Sequence, residues 1–272
     1  MRITRKQLLE IINQELLLYE ATKIDREVSD GIFQAIMASQ FWQMPHKESD
    51  VDLVDKATFS TPAVETLMDA LNSASEDLGT DLYFILSVTD NELYTLGPND
   101  EFGGYPNNWL MRGQYRGPEK GKHIVWLEFR PVSEEYSMAD LSYEELAGII
   151  SRTINHELVH YNQLKKQAAS KNISEEEAWE ELMKDPRQLT KSKKYGDYLS
   201  LHNEIDAFAY EAAEQLLDKY EPEDALEMLR RNDREVMGIV GEYRRHLEKD
   251  GRAIKKFLST VYTNIESMKS DS

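Results

Sequence analysis

The spacing of apolar residues along the chain predicts a protein built mostly from helices. Apolar positions recur every three to four residues within residues 5–43, and again from Pro62 onward, with Thr61 as the N-cap. The longest such pattern follows the Ser142 capping box and runs to about Ser170. Its core-facing positions are Leu146, Ile150, Ile154, Leu158 and Tyr161. Further helices are predicted after Ser174 (a capping box with Glu177), from about Asn203 to Tyr220, and beyond Glu221.

Two apolar runs predict β-strands, at residues 82–88 and 123–129, and Glu92–Leu96 is predicted to pair with the first as a hairpin. Residues 97–121 hold six of the 13 glycines, so this segment is predicted to be an irregular flap. We therefore expect an α+β fold, mainly helical, with a small antiparallel sheet. The predicted organisation is an N-terminal helical extension over 1–60, a core over 61–220 and a C-terminal helical extension over 221–272.

Composition narrows the classes of partner. Lys and Arg number 32 against 50 Asp and Glu, a formal net charge of −18. Nucleic-acid-binding proteins usually carry a basic face, and anionic membranes attract basic helices, so neither partner is expected. No apolar run reaches the roughly 18 residues of a membrane span, and Glu10 and Glu15 interrupt the N-terminal apolar stretch where a signal peptide would be continuous. These features predict a cytoplasmic protein.

The candidate metal-binding residues centre on one pair of histidines. The chain contains no cysteine, so a transition metal would have to be held by His, Asp or Glu. His156, Glu157 and His160 form an H-E-x-x-H motif within the longest predicted helix. Residues four apart lie on one helix face, so both imidazoles can reach a single Zn²⁺. Glu157 is rotated by about 100° from His156, so it can lie beside the metal and hydrogen-bond to a metal-bound water. The alternative is that two surface histidines merely share a helix face.

A catalytic zinc ion usually has three protein ligands, so a further residue is needed. Glu204 is the preferred candidate, because it begins a predicted helix whose small residues, among them Ala207 and Ala209, permit close approach of another helix. An acidic residue in a first turn also complements the helix dipole, which is an alternative reason for Glu204. Three neighbouring residues are alternative ligands: His202, Asp206 and Glu211.

The sequence HELVH, followed by NEIDAFA, resembles the gluzincin branch of zinc metallopeptidases, in which two histidines and one glutamate bind zinc. The E-x-x-A-x-A pattern at 204–209 is closer to the small zincins typified by the ImmA/IrrE group than to the thermolysin group. In the thermolysin pattern an aspartate that supports a metal-bound histidine stands where this chain has Phe208. Asp206 and Glu211 remain open as substitutes. The metzincin pattern is excluded by Gln163 and Lys166.

This resemblance covers about residues 120–217 and implies a zincin-like metallopeptidase domain within 61–220. It implies that His156, His160 and Glu204 bind Zn²⁺ and that Glu157 activates a zinc-bound water to hydrolyse a protein or peptide. It further implies that an edge strand beside the active helix, taken as His123–Phe129, pairs with extended substrate. A donor to the transition state is expected from among Tyr195, Tyr198 and His202.

The first twelve residues resemble leaders of proteins from tailed marine phages, which implies an alternative function. In that case the chain is a structural or interaction protein, for example a virion component, with a zincin-like metal site and little or no turnover. The helical extensions at both ends favour this alternative, since they exceed what a catalytic core needs, and the N-terminal helix would be the assembly surface. A third alternative is a domain that binds no metal.

Overall fold

In the computed structural model, the described residues are 26–39, 61–88, 109–131, 143–184, 201–231, 233, 236, 238–241 and 251–270. Helices predominate among them, with one small sheet, which confirms the α+β class. None of the helices in these ranges combines the length and apolar character needed to cross a bilayer. The helices are α1 (Arg26–Ala38), α2 (Thr61–Asp77), α3 (Tyr143–Lys171), α4 (Glu175–Met183), α5 (His202–Leu217), α6 (Pro222–Arg231) and α7 (Gly251–Ser270). The strands are β1 (Leu82–Val88), β2 (Trp109–Glu119) and β3 (Lys122–Pro131).

The described strands form a mixed sheet in the order β1-β3-β2. β1 runs parallel to β3, with Leu82 opposite His123, whereas β2 runs antiparallel to β3. The prediction of an antiparallel sheet is therefore wrong for the β1–β3 pair. Parallel neighbours require a crossover connection between them. The chain between β1 and β3 contains β2, and the predicted hairpin partner Glu92–Leu96 lies in that connection, outside the described residues.

Residues 109–119 form a strand, so the prediction of an irregular flap is wrong for this part of 97–121. Three of the six glycines that suggested a loop, Gly113, Gly117 and Gly121, lie in this strand or directly after it. Gly117 has a φ of 77° and lies where the β2–β3 register shifts, as at a β-bulge. Lys120 and Gly121, with φ of 53° and 77°, form the tight turn into β3, and a two-residue hairpin turn of this kind requires positive φ.

β3 is the central strand of this sheet, because β1 and β2 pair with its two sides. The prediction that residues 123–129 form an edge strand is therefore wrong. The edges of the described sheet are β1 and β2. On β1, the Asn72 side chain accepts from the backbone N–H of Phe84 at 2.8 Å and donates to its carbonyl at 3.0 Å. This contact satisfies backbone groups of β1 that would otherwise be open to pairing.

Contacts divide the chain into two compact units within α3, between Glu157 and Leu158. In the unit that ends at Glu157, α1 packs on α2 and α2 packs on β1. Apolar residues at helical spacing form its interior together with alternate strand residues, which is what their periodicity predicts. The most buried of them are Ile32, Ile36, Leu67, Leu71, Phe84, Val125, Leu127, Ile150 and Ile154.

In the unit that begins at Leu158, α5 packs along α7, and α6 contacts both. Three buried alanines of α5 belong to the same apolar cluster as the large residues of α7. Small side chains let two helix backbones approach closely, and the sequence predicts such an approach for α5. The helix that packs against these small residues is α7. The residues concerned are Ala209, Ala212 and Ala213 on α5, with Phe257, Val261 and Ile265 on α7.

Candidate metal centre

Helix α3 carries the H-E-x-x-H motif in its middle. The helix is continuous from Tyr143 to Lys171, so His156 and His160 lie one turn apart on one face. Leu158 is buried, in line with its place on the predicted core stripe. His156 and Glu157 are also buried, at 7% and 6% exposure, so α3 is covered on more than its apolar stripe. The motif therefore does not lie on an open surface. The alternative of two surface histidines would require one.

Glu204, in the first turn of α5, lies beside His160. Its Oε2 is 3.6 Å from His160 Nε2, and the two side chains are 4% and 13% exposed. Ligands held at about 2.0–2.1 Å by a tetrahedral metal are separated by roughly 3.3 Å, which is close to this distance. One ligand atom from each of His156, His160 and Glu204 lies within 4.8 Å of the other two. Two imidazole nitrogens and a carboxylate oxygen are a donor set that fits Zn²⁺.

The other acids proposed as ligands are engaged elsewhere. Asp206 forms an ion pair with Lys256, and Glu211 accepts a hydrogen bond from Gln215 at 3.2 Å. Neither belongs to the three-residue group around the histidine pair within the described ranges. Among the suggested transition-state donors, Tyr195 and Tyr198 lie outside the described residues. His202 begins α5, but its side chain is outside the described part as well.

Two amide side chains orient the candidate ligands. Asn203 Nδ2 donates to Glu204 Oε1 at 3.3 Å, so Oε2 is the oxygen directed at His160. Gln163 Oε1 is 3.2 Å from His160 Nδ1. An amide oxygen only accepts, so Nδ1 is the donor in this contact, and in the neutral ring the lone pair is then on Nε2. A neutral nitrogen with a free lone pair is the form of histidine that binds a metal.

Strand β2 holds Glu157. The carboxylate Oε2 accepts a hydrogen bond from the backbone N–H of Tyr115 at 2.6 Å. A Cβ atom at Gly113 would lie only 2.6 Å from Glu157 Oε1 and 2.8 Å from Thr153 Cγ2, so the missing side chain lets α3 approach the strand. Sequence reasoning missed both contacts, because the glycine content of this segment predicts a loop. A signal was available in the run Trp109–Tyr115, which has strand-forming residues on both sides of Gly113.

His123 is a buried histidine that sequence reasoning treated only as the start of a strand. Its Nδ1 is 2.5 Å from the Tyr115 hydroxyl, and its Nε2 is 3.7 Å from the Asp81 carboxylate. The two rings are stacked, with centroids 5.9 Å apart. Tyr115 therefore has two contacts of different kinds: its backbone binds Glu157, and its side chain ties β2 to the start of β3.

The sequence matches no protein-family model, and comparison with curated proteins and with solved structures found no match. What this chain does must therefore be inferred from its own residues and their geometry.

Proposed function

We propose that this chain is a zinc-dependent peptidase in which His156, His160 and Glu204 hold the ion and Glu157 is the general base. The observation that carries the proposal is the 3.6 Å approach of Glu204 to the Nε2 atom of His160. Two histidines that share a helix face by chance do not require a buried carboxylate from another helix at that nitrogen. Three protein ligands of these types leave a coordination position for a reactant, as catalytic zinc sites do.

The residues around the ion would act as follows. When bound, zinc supplies Lewis acidity, which polarises a carbonyl group and makes water a nucleophile near neutral pH. The Tyr115 amide donates a hydrogen bond to Glu157 Oε2, which holds that oxygen in place. Oε1 is then the oxygen that takes a proton from water and passes it to the leaving amine.

Strand β2 offers the backbone edge at which an extended peptide would bind. One side of β2 pairs with β3, and the N–H of Tyr115 points away from that pairing, toward Glu157. Backbone groups two residues apart in a strand point the same way, so those of Gly113 share this side. An added strand binds through such groups. We therefore assign substrate pairing to β2 in place of β3, through backbone groups of this strand other than the Tyr115 N–H, which Glu157 already occupies.

Metal analysis and a peptide digest test the proposal together. Protein purified without chelator is expected to contain zinc and to cleave members of a broad peptide library, read by mass spectrometry. Glu157→Gln keeps the shape of the side chain and removes the base, so zinc is expected to stay bound while kcat falls by about 100-fold or more. Glu176→Gln, an exposed site on α4, makes the same change in charge and is the matched control.

Each result decides between the functions considered. Full activity of Glu157→Gln would contradict the role of Glu157. Bound zinc without cleavage of any library peptide would favour a structural or interaction protein with a zincin-like metal site. Absence of zinc, with none taken up on addition, would contradict the metal site itself.

A further inference from the structure

Gln163 joins the two helices that carry the proposed ligands. Its Oε1 faces His160 Nδ1 at 3.2 Å, one turn earlier on α3. Its Nε2 is 3.3 Å from the backbone oxygen of Asn203 and 3.5 Å from Asp206 Oδ2, both on α5. Gln163 thus contacts one candidate ligand directly and contacts α5 on both sides of Glu204 in sequence.

The contact on α5 is anchored by an ion pair with α7. Asp206 is a buried carboxylate, 4% exposed, and its Oδ1 is 2.8 Å from Lys256 Nζ. A buried carboxylate is costly without a counter-charge, and Lys256 supplies one. Because Lys256 binds Oδ1, the other oxygen of Asp206 is directed at Gln163. The contacts therefore continue from His160 through Gln163 and Asp206 to Lys256, across three helices.

The charge on Asp206 determines which way the Gln163 amide is oriented. If the amide were rotated, its oxygen would face both the carboxylate of Asp206 and the carbonyl of Asn203, and three acceptors would meet without a proton. The observed orientation places the NH₂ group against those acceptors and the oxygen against His160. The contacts from α5 therefore direct the Gln163 oxygen at Nδ1 of His160, and in the neutral ring a proton on Nδ1 leaves the lone pair on Nε2.

We propose that Gln163 is a positioning residue of the metal centre, and that Lys256 acts on the same centre through Asp206; this rests on the proposed zinc site. Gln163 fixes the tautomer and the ring plane of His160, so that Nε2 faces Glu204. Helix α7 lies in the predicted C-terminal helical extension. Its residue Phe257 packs into the apolar cluster, while the preceding residue, Lys256, contributes a charge to the network that orients the ligand.

The zinc dissociation constant, measured by competition with a chromophoric chelator, tests this role. Gln163→Met removes both hydrogen-bonding ends at similar length, and zinc binding is expected to weaken by about 10–100-fold. Gln163→Asn is one methylene too short to reach both partners. Gln163→Asn is expected to weaken zinc binding by a similar factor, and it serves as the test if Gln163→Met does not fold. The visible spectrum of the Co²⁺-substituted protein is expected to change in both variants, since it reports ligand geometry. Gln167→Met, one turn further along α3, is the control.

Lys256 is tested at the other end of the network. Lys256→Met is expected to weaken zinc binding by about tenfold, because Asp206 loses its counter-charge and no longer fixes the amide. Lys256→Arg keeps the ion pair and should restore the wild-type dissociation constant. Lys255→Met changes the adjacent, exposed lysine and should leave zinc binding unaltered.

The outcomes separate this inference from the proposed function. Wild-type zinc affinity and an unchanged cobalt spectrum in a folded Gln163→Met or Gln163→Asn protein would overturn the positioning role while leaving the zinc site intact. Wild-type affinity in Lys256→Met would overturn the part assigned to α7. If the wild-type chain itself bound no zinc, the proposed function and this inference would both be overturned.

Discussion

Glu157 accepts a hydrogen bond from the backbone N–H of Tyr115 over 2.6 Å, which ties the proposed general base to an edge of the sheet. The donor is a main-chain group, so among substitutions at position 115 only proline removes it directly. What the contact does require is that α3 lie against β2 without an intervening side chain. Gly113 meets that requirement, and the position of Glu157 therefore depends on a residue that has no functional group.

Gly113→Ala is expected to displace Glu157 and to lower kcat by about 100-fold, since a shift of about 1 Å in a catalytic group has effects of that size. The added Cβ would lie 2.6 Å from Oε1, and overpacking of this kind also costs about 1–3 kcal/mol of stability. Zinc content should stay at the wild-type level. Steady-state kinetics with metal analysis measures both effects. Gly238→Ala, where a Cβ would meet nothing within 4 Å, is the control, and wild-type kcat in Gly113→Ala would contradict the prediction.

Glu204→Gln is expected to weaken zinc binding by more than the roughly 10–100-fold typical of residues that only support a ligand. A neutral amide oxygen replaces the carboxylate that lies 3.6 Å from His160 Nε2. Equilibrium dialysis against buffered zinc measures the loss. Glu211→Gln, at another buried glutamate of α5, should bind zinc normally. The reverse result, with loss in Glu211→Gln alone, would move the third ligand to Glu211.

Zinc is expected to raise the thermal unfolding temperature of the wild-type chain. A ligand that binds only the folded state at 100 times its dissociation constant adds about 2.7 kcal/mol of stability. Calorimetry in zinc and in EDTA measures the shift, and His156→Ala should greatly reduce it. Magnesium prefers oxygen ligands in an octahedral arrangement, so adding it in place of zinc should produce no comparable shift. Equal unfolding temperatures in zinc and EDTA would refute this expectation.

Tyr115→Phe separates the two contacts of Tyr115. It removes the hydroxyl from the buried His123 and leaves the backbone N–H that binds Glu157. A buried polar group without its partner costs about 1–3 kcal/mol, so urea unfolding should show a loss of that size. At temperatures where the variant is folded, kcat should remain near wild type. Tyr83→Phe, on an exposed tyrosine of β1, should be nearly neutral. A large fall in kcat with unchanged stability would contradict the separation.

Local features of the chain were predictable from the order of residues alone. The i, i+4 spacing of His156 and His160 places both on one face of any helix that contains them. The capping box of Ser174 and Glu177 forms as predicted, with both of its hydrogen bonds present. The strand Leu82–Val88 has the predicted bounds. Each of these depends on contacts within a few residues of sequence, so the sequence contains all the participants.

Tertiary structure decided the contacts between distant segments. Sequence pattern could not show that β1 pairs in parallel with β3, because strand pairing depends on which edges the rest of the fold brings together. It preferred Glu204 as the third ligand but left Asp206 and Glu211 open, since the packing of α5 decides which acid lies beside His160. The burial of α5 against α7 placed Asp206 beside Lys256 and left Glu204 beside His160. The spacing along one helix thus determined the histidine pair, and helix packing determined the carboxylate and the amide that complete the candidate centre.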